Sequence, residues 1–172
     1  MKMGPFAAIM AIVALSILLP FEVIATEPPN DCTLPDDLQR EVTKKHPGTK
    51  VVRLSDIGDE DRRLFKKDHG DACPGLAKVD FYGDGKPTFA LALITRSESN
   101  ATTELVIAHQ YEAVWKLMSL GKADGPVPVV WSDKPGEYTD VDGAKKIRAT
   151  KQVIVFCRYS AWAVLYAWKN NQ

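Results

Sequence analysis

The chain has 172 residues, and its 22 lysine and arginine side chains are balanced by 22 aspartate and glutamate side chains. Because this balance leaves no net charge, it gives no electrostatic reason to expect nucleic acid or an anionic membrane surface as a partner. The length is sufficient for one hydrophobic core and too short for two ordinary domains. No segment repeats at a fixed period, which excludes a solenoid or propeller built by this chain alone.

The N-terminal segment has the three parts of a cleavable signal peptide. Lys2 supplies the positive charge, residues 6–19 are almost entirely apolar, and Val23-Ile24-Ala25 matches the small-residue pattern that a signal peptidase accepts. The apolar stretch is shorter than the roughly 18 residues needed to cross a bilayer. We therefore predict that residues 1–25 are removed, that residues 26–33 lead into the domain, and that the protein is periplasmic or secreted without a stable membrane anchor.

Two helices are predicted at the start of the remaining domain. Three apolar residues recur at the four-residue spacing of one helix face, namely Leu34, Leu38 and Val42. A short strand over residues 50–54 follows, and then a second helix that Ser55 or Asp56 caps and that ends near Asp68. The acidic residues 56–61 are followed directly by basic ones, which indicates a solvated helix surface of mixed charge rather than a pair of catalytic carboxylates.

From Leu76 onward the apolar period changes to two, which is typical of strands. The predicted strands are residues 76–82, 88–96, 102–110, 113–120, 127–131, 145–158 with a break near 149–150, and 162–168. Residues 83–86 predict a tight hairpin between the first two. This order predicts an α+β fold in which two N-terminal helices pack on a mostly antiparallel β-sheet, as a single domain over residues 34–172.

Three cysteines follow the predicted cleavage site, and export would expose them to an oxidising compartment. Cys32 and Cys73 lie in polar, turn-rich surroundings, whereas Cys157 lies within an apolar run where a thiol packs easily. We predict a Cys32–Cys73 disulfide and a free, buried Cys157, although sequence alone leaves the other pairings open.

The segment from Asp80 to Gly85 contains the sharpest local pattern. Calcium loops place oxygen ligands at alternate positions and glycine at the sixth, and here Asp80, Asp84 and Gly85 occupy the first, fifth and sixth positions. Tyr82 offers no carboxylate at the third position, and the same glycines also suit an ordinary turn. The segment is therefore either a degenerate calcium site at Asp80 and Asp84 or a turn, and no other cofactor is predicted.

Residues 73–88, which read CPGLAKVDFYGDGKPT, resemble the central segment of a group of secreted bacterial proteins without an assigned activity. In that group the corresponding stretch resembles the D-F-D-G-D-G loop of FG-GAP and VCBS repeats. The resemblance extends to residues 34–35, 46–48 and 164–168. It implies a bacterial periplasmic or secreted domain, and it implies no activity.

No complete set of nucleophile, base and metal ligands is found in the sequence. The leading hypothesis is a non-enzymatic binding module of the inhibitor or immunity type, with a protein or a cell-envelope component as partner. Trp131 and Tyr138, in an irregular Pro- and Gly-rich segment, are candidates for an exposed binding patch. The alternatives are a hydrolase with a site around Asp80, Asp84 and His109, and a calcium-stabilised structural domain.

Overall fold

A computed structural model describes residues 32–97, 100–140, 142–159 and 161–169. The predicted signal peptide and most of the lead-in segment lie outside the described residues. The helices are α1 (Asp36–Lys45) and α2 (Asp59–His69), and a 3-10 turn (Leu54–Asp56) precedes α2. The strands are β1 (Lys50–Val51), β2 (Leu76–Val79), β3 (Thr88–Arg96), β4 (Ala101–Tyr111), β5 (Val114–Asp124), β6 (Val129–Asp133), β7 (Gly136–Thr139), β8 (Lys146–Ala149), β9 (Val153–Arg158) and β10 (Trp162–Tyr166).

The α+β class is confirmed in its coarse form, because two helices accompany a majority of antiparallel strands. The strands form three sheets where the sequence predicted one. The first sheet has the order β1-β3-β4-β5, with β2 also paired to β3; the second has the order β10-β9-β6; the third is the hairpin β7-β8. The chain leaves the first sheet at Gly125, whose φ of 88° is left-handed, and at Pro126 and Pro128, which lack the N–H that a strand ladder requires.

The first and second sheets pack face to face around the main core. Alternate residues of β3 and β4, such as Ala92 and Ile107, face Ile154 and Phe156 of β9, and all four are buried. α2 contributes Phe65 to the same core. Within the described residues, no helix is long and apolar enough to span a membrane.

α1 covers the outer face of the first sheet. The predicted apolar stripe is confirmed, because Leu34, Leu38 and Val42 are all buried against residues of β3, β4 and β5. Three further interactions fasten the helix: the disulfide Cys32–Cys73, a 2.7 Å hydrogen bond from Trp115 Nε1 to Asp37 Oδ2, and a 3.2 Å contact between His46 Nδ1 and Glu104 Oε2. The predicted cysteine pairing is thus confirmed, and Cys157 is free and buried as predicted.

The β7-β8 hairpin lies over the outer face of the second sheet. Ala149 of β8 joins the buried Val153, Val155 and Cys157 of β9 in one apolar cluster, and Tyr138 of β7 packs against it. Trp162 and Val164 of β10, an outermost strand of the second sheet among the described residues, are exposed.

Candidate functional site

The segment from Asp80 to Pro87 forms a longer loop than the tight hairpin that the sequence predicted. Val79 pairs with Thr88, so all of residues 80–87 lie outside the ladder between β2 and β3. The loop is drawn away from the ladder because Phe81 is buried in the main core and the Asp80 N–H donates to Gln152 Oε1 at 2.7 Å. The loop is therefore anchored to the second sheet.

The structure brings together two of the three residues of the predicted hydrolase site. Thr88 and His109 are direct partners in the β3–β4 register, and Thr88 Oγ1 lies 3.1 Å from His109 Nδ1. Asp84 Oδ2 lies 3.2 Å from His109 Nε2 on the other side of the ring. A carboxylate, an imidazole and a hydroxyl thus form one polar chain from the loop to β3.

These three contacting side chains are the groups of a nucleophile–base–acid triad, but the nucleophile is not accessible to a substrate. Thr88 is completely buried, so its hydroxyl does not meet a substrate. Asp80 does not join the pair, and one of its carboxylate oxygens is buried without a hydrogen-bond partner. The groups that reach the surface are Asp84, which is exposed, and the edge of His109.

Ring and backbone contacts hold this loop in place. The Tyr82 ring lies 4.6 Å from the His109 ring and 4.6 Å from the Trp168 ring, measured between centroids. Lys151 Nζ donates to the Tyr82 carbonyl oxygen. Gly83 has a φ of 67°, in the left-handed region that residues other than glycine rarely adopt, so a substitution there would strain the loop.

The electrostatics of the loop favour an ionised Asp84. The hydrogen bond from the Lys86 N–H to Oδ1 lowers the pKa of Asp84 most, and the charge of His109 lowers it further. Burial, followed by the charge of Asp84, raises the pKa of Tyr82.

Both Asp84 oxygens already have partners, and the described residues contain no group of three or more acidic, histidine or cysteine side chains placed to hold a metal. Calcium binding at Asp80 and Asp84 stays a prediction.

The predicted patch residues Trp131 and Tyr138 line one open cleft, which we call the aromatic cleft. It has a volume of about 540 Å³ and lies between the outer face of the second sheet and the β7-β8 hairpin. Val155 pairs with Trp131 on one side and with Leu165 on the other. Because directly paired residues share a face of a sheet, these three side chains form a row across the floor.

The hairpin supplies the opposite wall. Tyr138 and Ile147 are direct partners in the β7–β8 register and both line the cleft. The Tyr138 hydroxyl donates to the Lys134 carbonyl oxygen, which fixes the ring, and burial together with the charge of Asp133 raises the pKa of that hydroxyl. The cleft therefore has an apolar interior with a polar rim, to which Asp133, Asp140 and Lys145 contribute.

Trp131 is held by rings on neighbouring elements. It stacks on Tyr159 at 5.9 Å with an interplanar angle of 22°, and His69 at the end of α2 lies 4.9 Å away. Burial lowers the pKa of His69, which favours the neutral imidazole in this contact. Trp131 is thus a rigid part of the cleft, with much of its ring already in contact.

The sequence predicts Trp131 and Tyr138 as patch residues but not the rest of the cleft. β7 has four residues and begins at a glycine, too short for an alternating pattern to be recognised. Leu165 was predicted to lie in a strand, but only the register of β9 and β10 brings it beside Val155. No local signal in the sequence could have predicted that the β7-β8 hairpin and the outer face of β9 and β10 meet in one cleft.

Comparison with protein-family models, with curated proteins and with solved structures finds no match to the chain.

Proposed function

We propose that this protein is an exported, non-enzymatic binding module, and that the aromatic cleft receives an extended apolar segment of a protein partner. The observation that carries the proposal is the row formed by Trp131, Val155 and Leu165, in which Trp131 and Leu165 are only partly buried and line the open cleft beneath the hairpin wall. Clefts of about 300–1,000 Å³ with an apolar lining and a few polar groups are the usual shape of binding sites.

The lining supports an apolar side chain as the group that enters. The interior is formed by hydrocarbon and aromatic side chains, and burying apolar area there contributes about 25 cal/mol for each Å² removed from water. A sugar ring would need a free aromatic face on which to stack. The Trp131 ring is already stacked on Tyr159 and in contact with His69, so less of its face is available.

The edge of the second sheet supports an extended conformation for the bound segment. β10 pairs with β9 on one side and, within the described residues, with no strand on the other. Unpaired N–H and C=O groups on such an edge can hydrogen-bond an added strand. Because Ala163, Val164 and Leu165 of β10 also line the cleft, a segment added there would place a side chain beside the apolar floor.

Export is the part of the proposal that rests on the sequence. The composition of residues 1–25 supports it, and the Cys32–Cys73 disulfide is compatible with an oxidising compartment. Expression of the full chain in a bacterium, followed by mass spectrometry of the periplasmic fraction, should yield a protein that begins at Thr26. Recovery of the chain with Met1 intact in the cytosol would contradict export.

Peptide selection tests the cleft. Peptides selected from a random displayed library on the purified protein should bind in solution, and Ala163→Arg should weaken that binding by about tenfold or more because its side chain occupies the cleft. Ala161→Arg is the matched control, since Ala161 is equally exposed, lies two residues away and does not line the cleft. Equal binding by both variants, or selective binding of glycans instead of peptides, would contradict the proposal.

A hydrolase is the second candidate, and the 3.2 Å contact between Asp84 and His109 favours it. Because both ring nitrogens of His109 are in contact, with Thr88 Oγ1 and Asp84 Oδ2, the exposed Asp84 carboxylate would act as the general base for water and His109 would orient it. The test is hydrolysis of a panel of chromogenic esters, amides and glycosides by the wild type, by His109→Gln and by the control His46→Gln. Loss of a measurable rate in His109→Gln alone would support this candidate, and absence of any rate above buffer would contradict it.

A further inference from the structure

A second cleft lies at the first turn of α2 and shares no lining residue with the aromatic cleft; we call it the polar cleft. Its volume is about 380 Å³. Its charged lining residues come from the turn before α2, from the first turn of α2 and from the ends of β3 and β9: Asp56, Asp59, Glu60, Asp61, Arg96 and Arg158. The sequence analysis interpreted the acidic residues as a solvated helix surface.

That interpretation is wrong for Asp61. Its side chain is only 9% exposed, and its Oδ1 atom is buried without a hydrogen-bond partner. The Nε atom of Arg158, a residue of the opposite charge, is also buried and has no hydrogen-bond partner. Buried unpartnered groups are costly and uncommon in folded proteins, and here an acceptor and a donor of opposite charge line the same cleft.

The remaining charges of the cleft are mostly neutralised within the protein. Asp56 Oδ1 lies 3.0 Å from Lys50 Nζ and 3.1 Å from Arg96 Nη2. Asp59, which is fully exposed, pairs with Arg62 at 3.1 Å. Glu60, Asp61 and Arg158 are therefore the lining charges without an ion pair among the described residues, two negative and one positive.

We propose that the polar cleft binds a small basic amino acid, with its side-chain ammonium at Asp61, its α-ammonium at Glu60 and its carboxylate at Arg158. A basic amino acid carries two cationic groups and one carboxylate, which is the complement of the three unpaired protein charges. Binding would give Glu60, Asp61 and Arg158 the oppositely charged partners they lack, and hydrogen bonds between charged groups are the stronger ones. This site is independent of the function proposed for the aromatic cleft.

Three ligands of nearly equal size test each charge in turn: L-lysine, cadaverine, which lacks the carboxylate, and L-norleucine, which lacks the side-chain ammonium. Each is titrated into the ¹⁵N-labelled purified protein. L-lysine should give saturable shifts at the amides of residues 58–61 and 158. Cadaverine and norleucine should each bind about tenfold more weakly, because each leaves one protein charge of the cleft unpaired.

Asp61→Asn is the decisive variant, because it keeps the shape of the side chain and removes its charge. It should weaken L-lysine binding about tenfold and bring its affinity close to that of norleucine. Asp59→Asn is the matched control, since Asp59 lines the same cleft but is already paired, and it should bind as the wild type does. Thermal melting of both variants shows that each is folded.

Several results would overturn the proposal. They are the absence of saturable shifts at millimolar L-lysine, unchanged affinity in Asp61→Asn, and shifts produced by Ca²⁺ or Mg²⁺ but not by lysine. If Asp61→Asn does not fold, the three ligands on the wild-type protein still decide the matter. Equal binding of lysine and cadaverine would then exclude the assigned role of Arg158, and equal binding of lysine and norleucine that of Asp61.

Discussion

The two outer faces of the sandwich are covered by two very different elements. α1 covers the first sheet and is tied to it by the Cys32–Cys73 disulfide, the Asp37–Trp115 hydrogen bond and the His46–Glu104 contact. The β7-β8 hairpin covers the second sheet by apolar contacts of Tyr138 and Ala149. Among the described residues, no side-chain hydrogen bond or ion pair joins the hairpin to that sheet; its side-chain bonds, such as that from Tyr138 to Lys134, are local.

The difference explains why the aromatic cleft lies where it does. Beneath the cover with three ties, Leu91 and Val106 of the first sheet are completely buried. The cover without ties leaves part of its sheet open, because Trp131 and Leu165, on either side of the buried Val155, are only partly buried there. Regions held by few contacts open at a lower free-energy cost, and binding surfaces are often found among them.

The largest expected effect comes from removing the covalent tie. The disulfide joins residues 41 apart in sequence, and replacing Cys32 and Cys73 by serine should lower the free energy of unfolding by about 4 kcal/mol. Urea denaturation measures the loss, and wild type treated with reductant should match the double variant. A loss below about 1 kcal/mol would mean that α1 is held without its covalent tie.

Truncating one apolar residue in each cover compares the two covers directly. Leu38→Ala should cost about 3 kcal/mol, because the side chain is fully buried and its removal leaves a cavity. Ile147→Ala in the hairpin should cost about 1 kcal/mol, since Ile147 is only partly buried. Urea denaturation of the two variants measures both losses, and equal losses would contradict the contrast between the covers.

The His46–Glu104 contact should make the cover of the first sheet sensitive to pH. Burial acts to raise the pKa of Glu104, but its hydrogen bond with Ser119 and the charges of Lys122 and His46 outweigh burial and lower it. A carboxyl group with a lowered pKa stabilises the fold above its unfolded pKa and loses that stabilisation as the pH falls through the folded value.

Glu104→Gln should therefore lower the free energy of unfolding by about 1 kcal/mol at neutral pH. The difference from wild type should disappear in acid, once the wild-type carboxyl group is protonated. Denaturation curves over a pH series measure this convergence. A difference that stays constant down to acid pH would show that Glu104 acts by packing rather than by charge.

The smallest expected effect is a change in the alkylation rate of Cys157, which reports on the opening of the hairpin. This thiol belongs to the apolar cluster beneath Ala149, and burial, with the charge of Asp61, raises its pKa to about 11. In native buffer it should resist alkylation, because thiolate is the reactive form. Tyr138→Ala should speed alkylation at urea concentrations that leave the protein folded, whereas Leu117→Ala under α1 should not. Equal rates in both variants would indicate that Cys157 is exposed only by global unfolding.

Local patterns predicted the elements better than their assembly. The four-residue spacing of Leu34, Leu38 and Val42 predicted α1, and the alternating run from Thr88 to Arg96 predicted β3 with its observed bounds. Each of these signals lies within one element. The division into three sheets depends instead on where the chain turns between elements, and the segment before β6 did not indicate which sheet the next strand joins.

The candidate sites show the same limit. His109 meets Asp84 because the β3–β4 register places Thr88 opposite His109, and register between strands is not contained in either strand alone. At Asp61 a local pattern was present but indicated the wrong environment. Its acidic and basic neighbours predicted an exposed position, but α2 turns that one side chain toward the ends of β3 and β9, where Arg96 and Arg158 line the same cleft. Tertiary packing decided its environment.

Because of the Cys32–Cys73 disulfide, the stability of this fold depends on whether its environment is oxidising or reducing. Where thiols stay reduced, α1 keeps only a hydrogen bond and a partly exposed ionic contact as polar ties to its sheet. A chain whose two cysteines are still reduced is therefore easier to unfold, and oxidation then holds the first helix more firmly on its sheet. The same chemistry would make reductant a simple means of loosening one face of the molecule while the other keeps its structure.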